Sequence, residues 1–393
     1  MPQTTTPVSF ENTEIAFSYK SNGELKKSVL MFSLMNQNWL VKIGSRLTPV
    51  AFQWRLPIHG LVKATIYEQF CGGETLAECE PVTQKLAKYN VSTILDYGVE
   101  AKETNEEFDK GISEFLRAIA FSKENHHIPF ISIKVTGIAA FALLEKLHAK
   151  QALTDAEILD WNLVKGRLHK VCKAAHDAGT GVMLDAEETW IQDPVDELAM
   201  EMMKHYNKEK AVVYNTLQMY RTDRLDFLKK SLEQAKSGGF VLALKLVRGA
   251  YMERERRRAV ELKYKSPIQP DKAASDRDFD AAVMYCIENI DHISCCVASH
   301  NERSSLLAAE LAAKKGIPAS HPHLHFSQLY GMSDNITFNL ANAGYNVTKY
   351  VPYGPVKDVV PYLMRRAKEN TSVKGQSSRE LLLLKKEINR RKI

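Results

Sequence analysis

A (βα)8 TIM barrel with an N-terminal helical arm is the fold this sequence predicts, on three observations. Eight short apolar, strand-like runs recur from Ser92 onward, amphipathic helical stretches separate them, and no run leads into a GxGxxG or GxxxxGK[ST] turn. Strands alternating with helices need crossovers and therefore run parallel. The missing glycine-rich turn argues against an open, doubly wound sheet, and eight units close a barrel.

The elements follow in order. Residues 1–90 carry no strand rhythm and read as the helical arm. The barrel is expected over 91–376. Its runs are STILDYGVEA from Ser92, PFISIKVTG from Pro129, GVMLDAEE from Gly181, AVVYNTLQMY from Ala211, FVLALKLVRGAY from Phe240, ISCCVASHN from Ile293, HLHFSQLYG from His323 and YNVTKYVPYG from Tyr345. Stretches such as EFLRAIAFSKE, DWNLVKGRLHKVCKAAHDAG and SSLLAAELAAKKG supply the crossover helices. Residues 377–393, with Leu381 to Leu384 beside Lys385, Lys386, Arg390, Arg391 and Lys392, form a basic, amphipathic tail suited to an anionic bilayer; a helix docked on the barrel is the competing reading.

Composition narrows the function. At 393 residues and 45% hydrophobic the chain can bury a large core, and no apolar run approaches the roughly 20 residues that span a bilayer. The opening MPQTTTPVSFENTEIAF lacks signal- and transit-peptide patterns, so a cytoplasmic location is expected, with peripheral contact on the inner face of the membrane if the tail is an anchor. Six cysteines form no CxxC pair, and Cys295–Cys296 in an apolar run suits a reduced, buried strand. A net charge of +6 permits contact with an anionic surface or small acids. It does not suggest nucleic acid, because the basic tract RERRRA carries interleaved Glu253 and Glu255 and reads as a charged helix start. His321, His323 and His325 in HPHLHF lack a carboxylate or cysteine at ligand spacing, so no metal is expected there.

Barrels of this kind build their sites at the C-terminal ends of the strands. Those ends hold Asp96 and Glu100, Lys134 and Thr136, Asp185 with Glu187 and Glu188, Asn215 and Gln218, Lys245 and Arg248, His300 and Asn301, Gln328 and Tyr330, and Tyr350. The strand beginnings are apolar. After the eighth run, Tyr362, Arg365, Arg366 and Glu369 fall at i, i+3, i+4 and i+7 of a helix and share one face. Arg365 and Arg366 with Lys134 would clamp a carboxylate, and Glu369 would orient one guanidinium. A surface ion-pair network is the alternative, but Val359, Val360, Leu363 and Met364 leave this helix little room for a solvated face.

The stretch YVPYGPVKDVVPYLMRRAKENTSV resembles the signature of the proline dehydrogenase family. LDYGVEA, YNTLQMY, KLVRGAYMERERRRA, VASHNERS and FSQLYGMSD follow in that family's order. The resemblance runs from about residue 92 to about 375 and is closer to monofunctional, mitochondrial-type members than to bifunctional bacterial fusions. It implies a distorted (βα)8 barrel holding FAD non-covalently, oxidation of L-proline to Δ1-pyrroline-5-carboxylate by hydride transfer to flavin N5, and reoxidation by a membrane quinone. Carried over, Lys134, Arg365 and Arg366 would bind the proline carboxylate and Glu369 would brace an arginine. Asp185, Tyr251, Tyr350 and Tyr362 would line the pocket, with Leu329 or a neighbour covering it. Gln218, Lys245, Arg248, Gly249, His300 and Asn301 match positions at the flavin.

Bacterial fusion members read RLVKGAY where this chain has KLVRGAY, which puts Lys245, a point donor without a planar fork, opposite flavin N5. Hydroxyproline dehydrogenase is the alternative within the family. Its members carry serine where this chain keeps Tyr350, which favours proline. A third reading is a catalytically silent barrel that serves as a flavin-free scaffold or basic binding protein; loss of a clamp residue would support it, and none is lost.

Overall fold

The computed structural model describes residues 8–54, 56–98, 102–372 and 376–393. Eight parallel strands close a barrel in sequential order: β1 (Val91–Tyr97), β2 (Phe130–Lys134), β3 (Gly181–Asp185), β4 (Val213–Gln218), β5 (Leu242–Val247), β6 (Ile293–Ala298), β7 (Leu324–Leu329) and β8 (Asn346–Tyr353). The expected (βα)8 architecture is thus observed: seven strands lie inside their apolar runs, and β1 starts one residue ahead of its run, at Val91.

The chain divides into two compact units. One is contiguous, Glu100–Ser327; the other joins Met1–Val99 to Gln328–Ile393. In the contiguous unit, local chemistry sets the element limits. The helix Asp155–Ala178 starts at a reciprocal Thr154–Glu157 capping box and stops at Gly179, whose φ of 76° a side chain would resist. Two residues later β3 begins. Gly239, φ 62°, ends the helix Arg224–Gly238 ahead of β5 in the same way.

Inward-facing residues of non-adjacent strands meet inside the barrel. Phe130 meets Tyr214 edge-on at 5.3 Å and His325 at 5.2 Å, and the Tyr214 hydroxyl lies 2.8 Å from Ser294 Oγ. These side chains fill the entry end of β2, β4, β6 and β7. Burial pushes His325 down to about 4, so it stays neutral; its Nε2 lies 2.9 Å from the Pro322 carbonyl, while His323 Nδ1 lies 2.7 Å from the Ile290 carbonyl. The three histidines serve packing and loop closure. All six cysteines are buried free thiols, as expected for a reduced interior.

In the discontinuous unit β1 pairs with β8 from Val91↔Val347 to Tyr97↔Tyr353. Helices Asn22–Met35, Asn38–Gln53 and Leu76–Ala87 precede β1 in sequence; Val356–Ser372 and Gln376–Arg391 follow β8. The tail helix turns Leu383 and Leu384, each 1% exposed, into a cluster with Ala16, Phe17, Leu25 and Phe32. The docked reading of the tail therefore describes its leucines, apart from Leu382. Among the described residues no helix is long and apolar enough to cross a membrane.

Candidate active site

In the contiguous unit the strand ends gather a buried charge cluster. Parallel register sets Lys134 of β2 beside Asp185 of β3, and Thr216 of β4 beside Lys245 of β5. Lys245 Nζ donates to Asp185 Oδ1, Lys134 Nζ lies 3.9 Å from Oδ2, and Ser132 Oγ donates to Oδ1 at 2.6 Å. Burial alone would raise the Asp185 pKa, but the charges of Lys245 and Lys134 and the Ser132 hydrogen bond hold it below the ordinary carboxylate value. The result is an ionised carboxylate between two ammonium groups, at a depth where an unpaired charge would be costly.

Beside it, Gln218 Nε2 donates to the Glu187 carbonyl at 2.6 Å, and Thr136 Oγ1 lies 2.8 and 2.9 Å from the two Glu187 carboxylate oxygens. Glu188 pairs with Arg254, which stands over the ring of buried Tyr251 at 5.9 Å.

A second cationic station follows β5. Arg248 Nε donates to Asp276 at 2.7 Å, its two terminal nitrogens reach Ser299 Oγ at 2.7 Å and Ser304 Oγ at 2.9 Å, and the guanidinium stacks over Phe279 at 4.3 Å. Asn301 caps the helix Glu302–Lys314 through Ser304 N, and half-buried His300 precedes it. Gly249 is required here: its φ is 133°, and a Cβ would lie 2.5 Å from the Tyr220 ring.

In the discontinuous unit Tyr350, Tyr362 and Arg366 are buried at 8%, 6% and 8% exposure, and the Arg366 guanidinium lies over the Tyr362 ring at 5.2 Å. The i, i+4 spacing of Tyr362 and Arg366 makes that contact. Arg365 is half-buried. Tyr362 joins an apolar cluster with Val359, Leu363, Tyr67 and Met332, against which Leu329 packs. The side chains of Glu369 and Glu100 lie outside the described residues.

Lys134, Asp185 and Lys245 therefore form one cluster, Arg248, His300 and Asn301 a second within the same unit, and Tyr362 with Arg366 a contact in the other. Sequence reasoning separated Lys245 from Asp185, assigning one to a flavin and the other to a pocket wall, whereas the structure pairs them directly. It also missed Ser132, Asp276, Ser299 and Ser304. Asn301 three residues before Ser304, ahead of an apolar helix, was a readable capping signal for part of that set. A further buried network escaped it: Asp334 receives the Tyr19 hydroxyl at 2.7 Å and lies 2.9 Å from Lys349 Nζ and 3.8 Å from Lys20 Nζ. Glu380 accepts the Ser333 N–H beside this network; burial first and the Asp334 charge second push its pKa up to about 7.

A family model described as proline dehydrogenase matches residues 79–379. Proline dehydrogenase 1, mitochondrial, of Dictyostelium discoideum is 30% identical, covering 97% of this chain and 74% of its own length. The carbapenem antibiotics biosynthesis protein CarD of Pectobacterium carotovorum is 35% identical over 85% of this chain and 86% of its own. Hydroxyproline dehydrogenase of Xenopus laevis is 29% identical over 95% and 88%. Among solved structures, proline utilization A from Bdellovibrio bacteriovorus, inactivated by N-propargylglycine, superimposes with a TM-score of 0.72 at 23% identity, over 93% of this chain and 37% of that one. A likeness at that identity shows the shared barrel, and the chain spans well under half of the solved protein's length. On the family match and the relatives together, the chain belongs to the proline dehydrogenase family.

Proposed function

We propose that the chain is an FAD-dependent proline dehydrogenase that oxidises L-proline to Δ1-pyrroline-5-carboxylate and passes the electrons to a membrane quinone. The observation that carries this is the buried Lys134–Asp185–Lys245 cluster at the strand ends of a barrel matched by the family model. In this reading 91–376 is the FAD-binding catalytic barrel, 1–90 its helical arm and 377–393 its basic tail.

The donor set fits FAD. Arg248, fixed beside two serine hydroxyls at the N-terminus of a 13-residue helix, suits a diphosphate, and Gly249 keeps the adjacent backbone free of a Cβ. Arg248, Gly249, His300 and Asn301 would hold the phosphate side, with Gln218 and Lys245 at the ring system. Bound FAD would supply the two-electron acceptor.

The chain's own residues do the rest. Lys134, Arg365 and Arg366 clamp the substrate carboxylate, and Glu369 braces a guanidinium. Tyr251, Tyr350 and Tyr362 enclose the pyrrolidine ring and exclude water. Asp185 holds both lysines in place. Oxidation removes a hydride from C5 and a proton from nitrogen, leaving a C5=N double bond. The cationic clamp and desolvation both favour the neutral amine that this requires. The hydroxyproline reading has support from the Xenopus relative, but the chain keeps a tyrosine at position 350, which favours proline.

The test is anaerobic addition of L-proline to the purified yellow protein, with trans-4-hydroxy-L-proline in parallel. Rapid loss of the visible flavin band with proline and little with hydroxyproline is expected. Bleaching mainly by hydroxyproline moves the assignment to that relative, and a colourless chain that FAD cannot reconstitute overturns the enzyme reading. A cytoplasmic location with peripheral contact on the inner membrane face completes the proposal, since a quinone acceptor lies in the bilayer.

A further inference from the structure

The helix Asn38–Gln53 is apolar on two faces. One face is used: Phe52 packs on the cluster around Tyr362 and Leu363, and the helix lies against Val356–Ser372. The other is open. Trp39, Ile43 and Leu47 are 61%, 49% and 60% exposed, and at 100° per residue they share one stripe with exposed Lys42 and Arg46; Trp54, the residue after the helix, is 71% exposed. The neighbouring helix Asn22–Met35 adds Lys26, Leu30 and Leu34 at i, i+4 and i+8, with Leu30 59% exposed and Leu34 44%. Leu56 and Leu61, just downstream, are 49% and 67% exposed. Single exposed apolar residues need no explanation, but a concentration of this kind does.

Charge says what covers it. From Leu25 to Tyr67 the sequence holds Lys26, Lys27, Lys42, Arg46, Arg55 and Lys63 and not one aspartate or glutamate. Lys27 and Lys63 pair with Glu68, Glu74 and Glu78 outside that window, whereas Lys26, Lys42 and Arg46 are exposed beside the apolar stripe. A tryptophan at each end of an apolar stripe with basic side chains along it is the arrangement that seats a helix in the headgroup layer of an anionic bilayer.

We propose that this face, centred on Trp39, Leu47 and Trp54 with Lys42 and Arg46, docks the protein on an anionic membrane surface, and that the C-terminal tail does not. The tail has already spent Leu383 and Leu384 on its own core and pairs Arg379, Lys386 and Arg390 with Glu11, Glu14 and Glu387. The inference gives the proposed quinone acceptor a route of access, but its evidence does not depend on the flavin reading.

The test is co-sedimentation of the full-length, FAD-loaded protein with phosphatidylcholine vesicles, with and without phosphatidylglycerol. Wild type should bind only the anionic vesicles. Lys42→Gln with Arg46→Gln should weaken binding about 25-fold, roughly fivefold for each charge. Trp39→Ser with Leu47→Ser and Trp54→Ser should weaken it at least about tenfold. All these side chains are exposed, so thermal melting and dye-linked proline oxidation should stay at the wild-type level. That retention separates failure of this inference from failure of the enzyme reading, because a protein without proline activity can still be scored for vesicle binding. Leu382→Ser with Lys385→Gln, on the tail, should change binding less than about twofold. Equal binding to neutral and anionic vesicles overturns the proposal. So does loss of binding in the tail variant alone, or a stripe variant that turns a dimer into a monomer with vesicle binding intact, which would make the face a contact between two copies.

Discussion

Asp185→Asn is expected to cost far more than a neutral-for-charged exchange at the surface, because two lysines depend on that carboxylate. Lys134 Nζ lies 3.9 Å away; at an effective dielectric of about 20 the attraction is about 4 kcal/mol, and Lys245 is closer still. Both ammonium groups are largely buried, with side-chain exposures of 11% and 6%. Removing the carboxylate leaves them facing each other, and the loss should reach about 3–5 kcal/mol. Lys245→Met should cost less, because Asp185 keeps Lys134 and the Ser132 hydroxyl. The double variant should recover at least about 2 kcal/mol of the summed single losses, since no second lysine is then stranded. The assay is urea unfolding at pH 7 followed by tryptophan fluorescence. The folded pKa of Asp185 is depressed, so its contribution is complete above about pH 4 and is lost as pH falls through the lower folded value. Single losses that add to within about 0.5 kcal/mol would refute the shared cluster.

Three other outcomes are expected. Glu380 is pushed up to about 7 by burial and by Asp334, so folding takes up a proton there and stability should fall between about pH 4.5 and 7. Glu380→Gln keeps an acceptor for Ser333 N–H and should remove that decline, gaining up to about 3 kcal/mol at pH 8 and little at pH 5; denaturation curves with unchanged pH dependence would count against it. Arg366→Lys should raise KM for proline at least about tenfold with the melting temperature nearly unchanged, because lysine offers no bidentate fork, and a near-normal KM would remove Arg366 from the clamp. Gly249→Ala should lower both FAD retention and stability, by about 1–3 kcal/mol, because φ 133° and the Tyr220 ring exclude a Cβ; retained flavin absorbance after dialysis would show that the turn can shift.

The barrel was legible because its signal is local. Alternating and continuous apolar runs, with polar residues at their ends, mark each strand without reference to the others. The candidate residues were legible by position, and the family resemblance supplied their roles. Partnerships were not legible. Asp185 and Lys245 stand 60 positions apart, and Arg248 and Asp276 stand 28 apart, so only the closed sheet and the crossover helices bring them together. Lys349 shows the same limit from the other side. A lysine within the apolar run YNVTKYVPYG announces a buried partner, yet nothing local says that Asp334, Met332 and Leu329 provide it. The tail stayed open between two readings for a related reason: four consecutive leucines look the same whether they face lipid or Phe17 and Phe32.

The pairing of β1 with β8 has a bearing on how the chain is made. Val91 finds Val347, a partner 256 residues downstream, so this edge cannot zip until β8 has left the ribosome. Meanwhile β2 to β7 lie in a contiguous stretch able to assemble earlier, with free backbone donors and acceptors at its unjoined edges. Closure is therefore the late, high-contact-order event, and the interval before it is when a nascent chain most needs a chaperone.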